Sequence, residues 1–135
     1  MSLIQLVYVS RLRGDESVLK SIHSHAVRNN TAHTITGMLL YTNKRFLQVL
    51  EGDSKVVHAT FAQIKVDSRH EHVTLLLEQK IEAHYFQHWN MGFRHLLDEE
   101  LASFPAYAAY FEDDFSHFKA QPQIALEILK ILGGY

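Results

Sequence analysis

The stretch from residue 35 to residue 52 leaves a chain little freedom. It holds two apolar runs, Ile35–Tyr41 and Arg45–Glu51, separated by a polar tip, which is the layout of a β-hairpin. Along the second run a side-chain period of two puts Phe46, Gln48 and Leu50 on one face and Leu47, Val49 and Glu51 on the other. A carboxamide therefore falls between two large apolar neighbours on a core face. Left unpaired there it costs on the order of 1–3 kcal/mol, so Gln48 must hold a partner.

The flanking sequence supplies candidates. Leu3–Val9 alternates as a first strand, with Ile4, Leu6 and Tyr8 on one face and Leu3, Gln5, Val7 and Val9 on the other. Arg11-Leu12-Arg13-Gly14 breaks it, Asp15 offers an N-cap, and Val18, Leu19, Ile22 and Ala26 follow helical spacing to about Arg28. Continuing the step Ile22, Ala26 reaches Asn30, a second carboxamide on the core-facing stripe, with Asn29 beside it. After the hairpin, Gly52-Asp53-Ser54 opens a helix with Val57, Phe61 and Ile64 inside, running to about Val66 and closed by Asp67-Ser68-Arg69-His70. Val73–Leu77, extending toward Ile81, predicts a fourth strand, and Trp89–Phe93 a fifth with Trp89, Met91 and Phe93 on one face.

The order βαββαβ with an added strand predicts an α+β, ferredoxin-like sandwich, with the third strand between the first two and both helices on one face. Tyr8, Gln48 and Asn30 then converge in an apolar layer. Phe104, Tyr107, Tyr110, Phe111, Phe115 and Phe118, followed by Pro122 and Ile124, Ile128, Leu129 and Leu132, predict two C-terminal helices that cover the sheet's free face. The expected division is the sandwich over residues 1–97 and a helical extension over 98–135 that packs on the sheet.

With 135 residues, 47% of them hydrophobic, the chain suits one compact core. A formal net charge of −2 with no Lys/Arg run argues against nucleic acid and against a polybasic membrane contact. The absence of cysteine removes disulfides and thiolate metal sites and suits a cytoplasmic location.

Tyr8, Asn29-Asn30 before Ile35-Thr36-Gly37, Phe46-Leu47-Gln48-Val49-Leu50-Glu51-Gly52, Asp67-x-Arg69-His70 and Phe86-x-x-Trp89-x-Met91 resemble the BLUF domain, the blue-light sensor using FAD. The resemblance covers roughly the first 95 residues in order and spacing, a combination far more specific than any one piece. It implies a flavin, FAD with FMN as the alternative, between the two helices, its faces clamped by Ile22 and Ile64. Its ring edge would meet Tyr8, Gln48 and Asn30, with Phe46 and Phe61 packed nearby. Arg28, Asn29, Lys65, Asp67, Arg69 and His70 would lie nearer the cofactor's tail, where Gln63 departs from the basic residue several family members carry. The resemblance further implies a photoreceptor and not an enzyme. Light would drive electron and proton transfer from Tyr8, Gln48 would rotate or tautomerise, and Trp89 and Met91 would sense the change. No output domain is expected after the sensor, and a partner protein or a homo-oligomer interface is expected to receive the signal.

Two other readings compete. An acylphosphatase-like phosphoryl hydrolase would need a Gly-rich anion loop after the first strand, and Ser10-Arg11-Leu12-Arg13-Gly14 supplies arginines but one glycine. A flavin-free interaction module on the same fold would differ in being colourless. The histidine pairs His23-x-His25, His70-x-His72 and His84-x-x-x-His88 lack a matching carboxylate cluster, so no metal centre is expected.

Overall fold

The computed structural model describes residues 2–87, 91–112 and 114–133. Its five strands are β1 (Leu3–Leu12), β2 (Thr36–Thr42), β3 (Arg45–Asp53), β4 (His70–Lys80) and β5 (Gly92–His95), in the sheet order β4-β1-β3-β2-β5. Every neighbouring pair is antiparallel except β2 and β5, which run parallel. Helices α1 (Leu19–His33) and α2 (Ser54–Lys65) cover one face. The alternation read in β1 and β3 sorts the residues as expected. Ile4, Leu6, Tyr8, Phe46 and Leu50 pack under the two helices, while Val7, Val9, Leu47 and Val49 face the C-terminal tail.

Register places the polar residues. Tyr8 on β1 stands directly across from Gln48 on β3, and Gln48 stands across from Leu39 on β2, so one row of the sheet carries both groups to the helical face. Asp15 accepts a hydrogen bond from the Ser17 N–H at 2.7 Å and caps a 3-10 turn, Glu16–Val18, that leads into α1. The helix runs five residues past Arg28, because Asn29, Asn30 and Thr31 continue its turn. It ends at Thr34, whose φ of 56° and ψ of 42° are left-handed. Thr34 and Ile35 both donate their backbone N–H to the Asn30 carbonyl, which holds Asn30 at the inner end of the helix. A β-branched residue in that conformation carries strain of about 1 kcal/mol, and the turn that aims Asn30 inward and starts β2 absorbs it.

Two expectations need correction. The tail forms four short helices, α3 (Asp98–Ala102), α4 (Pro105–Ala108), α5 (Ser116–Ala120) and α6 (Ile124–Leu132), where two longer ones were expected. Pro105 has no N–H to continue α3, and Phe115 takes a φ of 67° that halts the chain before α5. In consequence Phe111, Phe115 and Phe118 are buried with Ala125, Ile128, Leu129 and Leu132 against the sheet, while Phe104 faces outward and Tyr107 and Tyr110 are half-buried. The fifth strand begins at Gly92, three residues later than expected. Met91 therefore precedes it, and Trp89 lies outside the described residues.

A polar row crosses the tail-side face that no periodicity singled out. Gln79, Gln5, Glu51 and Thr36 are consecutive register partners on four strands. Gln79 Nε2 donates to Gln5 Oε1 at 2.7 Å, and Gln5 Nε2 donates to Glu51 Oε2 at 2.7 Å. The other oxygen of the fully buried Glu51 accepts the Phe86 backbone N–H at 2.8 Å, and Thr36 Oγ1 bonds His84 Nδ1 at 2.5 Å. These bonds dock the β4–β5 connection onto the sheet. Replacing Glu51 by Ala orphans two buried donors at about 1–3 kcal/mol each, so Glu51→Ala should lower the urea midpoint clearly. A midpoint shift worth less than about 0.5 kcal/mol would show the row to be energetically idle.

Candidate functional site

A cavity of about 280 Å3 opens between α1 and α2 above the central strands, close to the lower end of the range of about 300–1,000 Å3 for small-molecule sites. Its walls are Ile22 and Ala26 from α1 and Ile64 from α2, and Leu39 and Leu50 form the apolar floor. Polar groups enter at defined places. Tyr8 and Gln48 rise from the sheet, Asn29 and Asn30 close the C-terminal end of α1, and Asp67, Arg69 and His70 follow α2.

The buried carboxamide finds its partners. The Tyr8 hydroxyl donates to Gln48 Oε1, and Gln48 Nε2 donates to the Met91 sulfur at 3.3 Å. Tyr8 is 1% exposed, Gln48 3% and Asn30 1%. Burial raises the Tyr8 pKa far above its ordinary range, and the Asp67 carboxylate adds to the effect, so the hydroxyl keeps its proton. Met91 is itself buried, and a β-carbon added at Gly37 would lie 3.1 Å from its methyl and 2.0 Å from the Val49 carbonyl oxygen. The bare backbone of Gly37 thus makes the space Met91 uses.

The other end is ionic. Arg69 grips Asp67 through Nε at 3.0 and 3.2 Å and Nη2 at 2.6 Å, and reaches Ser21 on α1 through Nη1 at 3.1 Å. Those bonds hold the Asp67 carboxyl down at about 2. His70 bonds Ser10 Oγ through Nδ1 at 2.9 Å and packs on Phe46 with the ring centroids 4.8 Å apart and the planes tilted by 48°. Burial pulls its pKa down to about 4 against the raising effect of Asp67, so the ring is neutral at pH 7. Across the cleft Asn29 Nδ2 donates to Thr60 Oγ1 at 3.0 Å, tying α1 to α2.

Nine expected residues line the cavity: Tyr8, Ile22, Asn29, Asn30, Gln48, Ile64, Asp67, Arg69 and His70. Four do not. Phe46 and Phe61 lie behind the wall, Phe46 against Tyr41 and His70 and Phe61 against the Tyr8 ring at 5.3 Å. Arg28 and Lys65 are exposed on the outer sides of their helices, Lys65 with its ammonium 5.3 Å from the Phe61 ring. His25 and Thr60 were missed, although His25 stands three residues after Ile22 and Thr60 four before Ile64, on the same helical stripes. The Ser10–Gly14 segment builds no anion loop, since Ser10 and Arg11 belong to β1 and Arg13 pairs with Glu71 at the surface. Among the described residues no three metal-ligating side chains come together.

The donor set suits a flat ring with an apolar body and a polar rim, the shape of a flavin, with branched aliphatics on both walls and a tyrosine and two carboxamides at one edge. The ionic end suits the cofactor's tail.

His70 generates a stability prediction. Its folded pKa of about 4 lies below the ordinary 6.5, so the unfolded chain binds the proton first. Stability is then full above pH 6.5 and falls as pH drops toward 4, by on the order of 2–3 kcal/mol at most. Urea titrations between pH 7 and 4 should show that slope, and His70→Gln should flatten it. An equal slope in the variant would assign the loss to other groups.

Comparison with known proteins bears directly on this geometry. Residues 3–92 match the family model described as BLUF, sensors of blue-light using FAD. The blue light- and temperature-regulated antirepressor BluF of Escherichia coli is 38% identical over 77 residues, which is 56% of this chain and 19% of that protein. The photoactivated adenylate cyclase subunit beta of Euglena gracilis is 33% identical over 110 residues, 77% of this chain and 12% of that protein. The chain therefore spans less than a fifth of these relatives' own length. Among solved structures, BlsA in its photo-activated state superposes with a TM-score of 0.80 at 26% identity, covering 98% of this chain and 96% of that one. With the matching model spanning both helices, four strands and the lining of the cavity, the chain belongs to the BLUF family of blue-light sensors.

Proposed function

We propose that this protein is a non-enzymatic photosensor that holds FAD between α1 and α2 and passes a light-induced rearrangement of Tyr8 and Gln48 to a partner protein. The observation that carries this reading is the buried chain Tyr8–Gln48–Met91, whose first two members line the cavity. Ile22 and Ile64 would hold the ring faces, Asn30 and Gln48 its polar edge, and Arg69, with Ser21 at hand, the phosphate end. A phosphate at that end is common to FAD and FMN, so Arg69 would serve either. When bound, the flavin supplies blue-light absorption and an excited state that accepts an electron. The chain's own part follows from its protonation states. Tyr8 keeps its hydroxyl proton and presents it to Gln48, so electron and proton loss from Tyr8 are coupled through that bond. A terminal amide offers an acceptor at one end and a donor at the other, so reorienting it exchanges what Tyr8 and Met91 receive.

Residues 1–97 form the sensor in this reading, and the tail at 98–135 carries the change outward to a partner or a second copy of the chain. Met91, β5 and α3 follow one another closely, and the tail packs on the sheet opposite the cavity. Among the described residues no helix is long and apolar enough to cross a membrane, and a cytoplasmic location fits the cysteine-free chain.

Absorption spectra before and after blue light test the reading. The purified protein should be yellow, and light should shift its flavin band. Tyr8→Phe should bind flavin as before and lose the shift, because the ring packing stays while the proton donor is gone; a normal photocycle in that variant would remove Tyr8 from the mechanism. Asn30→Ala should weaken flavin binding by roughly 5- to 150-fold, the scale of about 1–3 kcal/mol of lost pairing. A colourless protein that takes up no flavin would favour an interaction module on the same fold.

A further inference from the structure

Met91 is gripped at both ends. Its sulfur accepts from Gln48, and its carbonyl oxygen bonds Nε2 of His23 on α1 at 2.9 Å. A carbonyl oxygen only accepts, so His23 carries its proton on Nε2 and donates it. The same imidazole lies 5.1 Å from the Phe93 ring. His23 therefore touches the residues on either side of Gly92, where β5 begins.

The two grips differ in strength. A thioether is a weak acceptor, and its bond to Gln48 cannot by itself fix a flexible side chain. An N–H to a main-chain carbonyl at 2.9 Å is an ordinary strong hydrogen bond. We propose that His23 is a positioning residue of the light switch, holding the Met91 main chain so that the thioether is seated against the Gln48 amide. This inference rests on the Tyr8/Gln48 reading above. His23 follows Ile22, a wall of the cavity, so one turn of α1 both lines the cavity and anchors the start of β5. When the amide turns away from the sulfur, the His23 bond still restrains the connection and gives the amide a fixed place to return to.

The flavin-loaded protein provides two independent readouts. Amide exchange over Gly92–His95 in the dark needs no photocycle. His23→Ala should speed it about tenfold, while His23→Gln, whose side-chain amide donates at the same reach, should return it to within about twofold. Dark recovery after illumination then tests action through Met91. His23→Ala should change the recovery time at least about threefold in the unaltered chain and less than about 1.5-fold in a Met91→Ala background. Thermal melts confirm that each variant folds, and should the alanine not fold, His23→Asn, too short to reach the carbonyl, is compared with His23→Gln. Unchanged exchange in His23→Ala, or an equal recovery effect with and without the thioether, overturns the inference. Loss of the light-induced shift in the unaltered protein instead overturns the Tyr8/Gln48 reading and leaves the exchange result to stand on its own.

Discussion

The hydrogen bond from Tyr8 to Gln48 is the interaction on which the rest of the structure depends. Two polar side chains face each other across adjacent central strands, buried beneath helices that present aliphatic side chains together with Asn30 and Thr60. Neither is tolerable alone in that layer, because an unpaired hydroxyl or amide would cost more than most single contacts return. Together with Met91 they form a satisfied chain that ends on a sulfur. A chain that ends on its weakest acceptor can be rearranged at small cost, whereas one ending on a carboxylate could not.

The sheet separates two cores of different character. Under α1 and α2 the packing stops short and leaves a cavity rimmed by amides. On the opposite face the tail packs Phe111, Phe115, Phe118, Ile128 and Leu129 against the sheet. The polar row from Gln79 to Thr36 runs across that second face and docks the β4–β5 connection there. The connection thus touches both cores: Glu51 and Thr36 hold it on one side, and Gln48 and His23 hold it on the other.

How far this was legible in the sequence follows from which signals are periodic. The faces of β1 and β3, the core-facing place of Asn30 and the meeting of Tyr8 with Gln48 come from periods of 2 and 3.6 together with strand order, and all are found in the structure. Of the breaks in the tail, the one at Pro105 stood in the sequence and was passed over, whereas the one at Phe115 was not legible, since Phe115 reads as one more aromatic at helical spacing and its positive φ is a tertiary outcome. The late start of β5 was hidden because Met91 and Phe93 do share a face although only Phe93 is in the strand. His23 was noticed only as half of the His23-x-His25 pair, because a histidine beside a core stripe acquires its present role only when a loop 68 residues away arrives at its nitrogen.

Gly37 leaves a mark of another kind. The space for the Met91 methyl is made by a missing side chain within a paired strand, bounded by a main-chain carbonyl. Walls made of side chains can yield by changing rotamer, but a wall made of backbone held in a ladder cannot give by degrees. The wall behind the Met91 methyl therefore keeps its shape when neighbouring side chains repack. In the proposed sensor a fixed wall at that methyl makes the Met91 side chain, and not its surroundings, the part that is free to move, and that fixity comes from a residue that contributes no side-chain atoms.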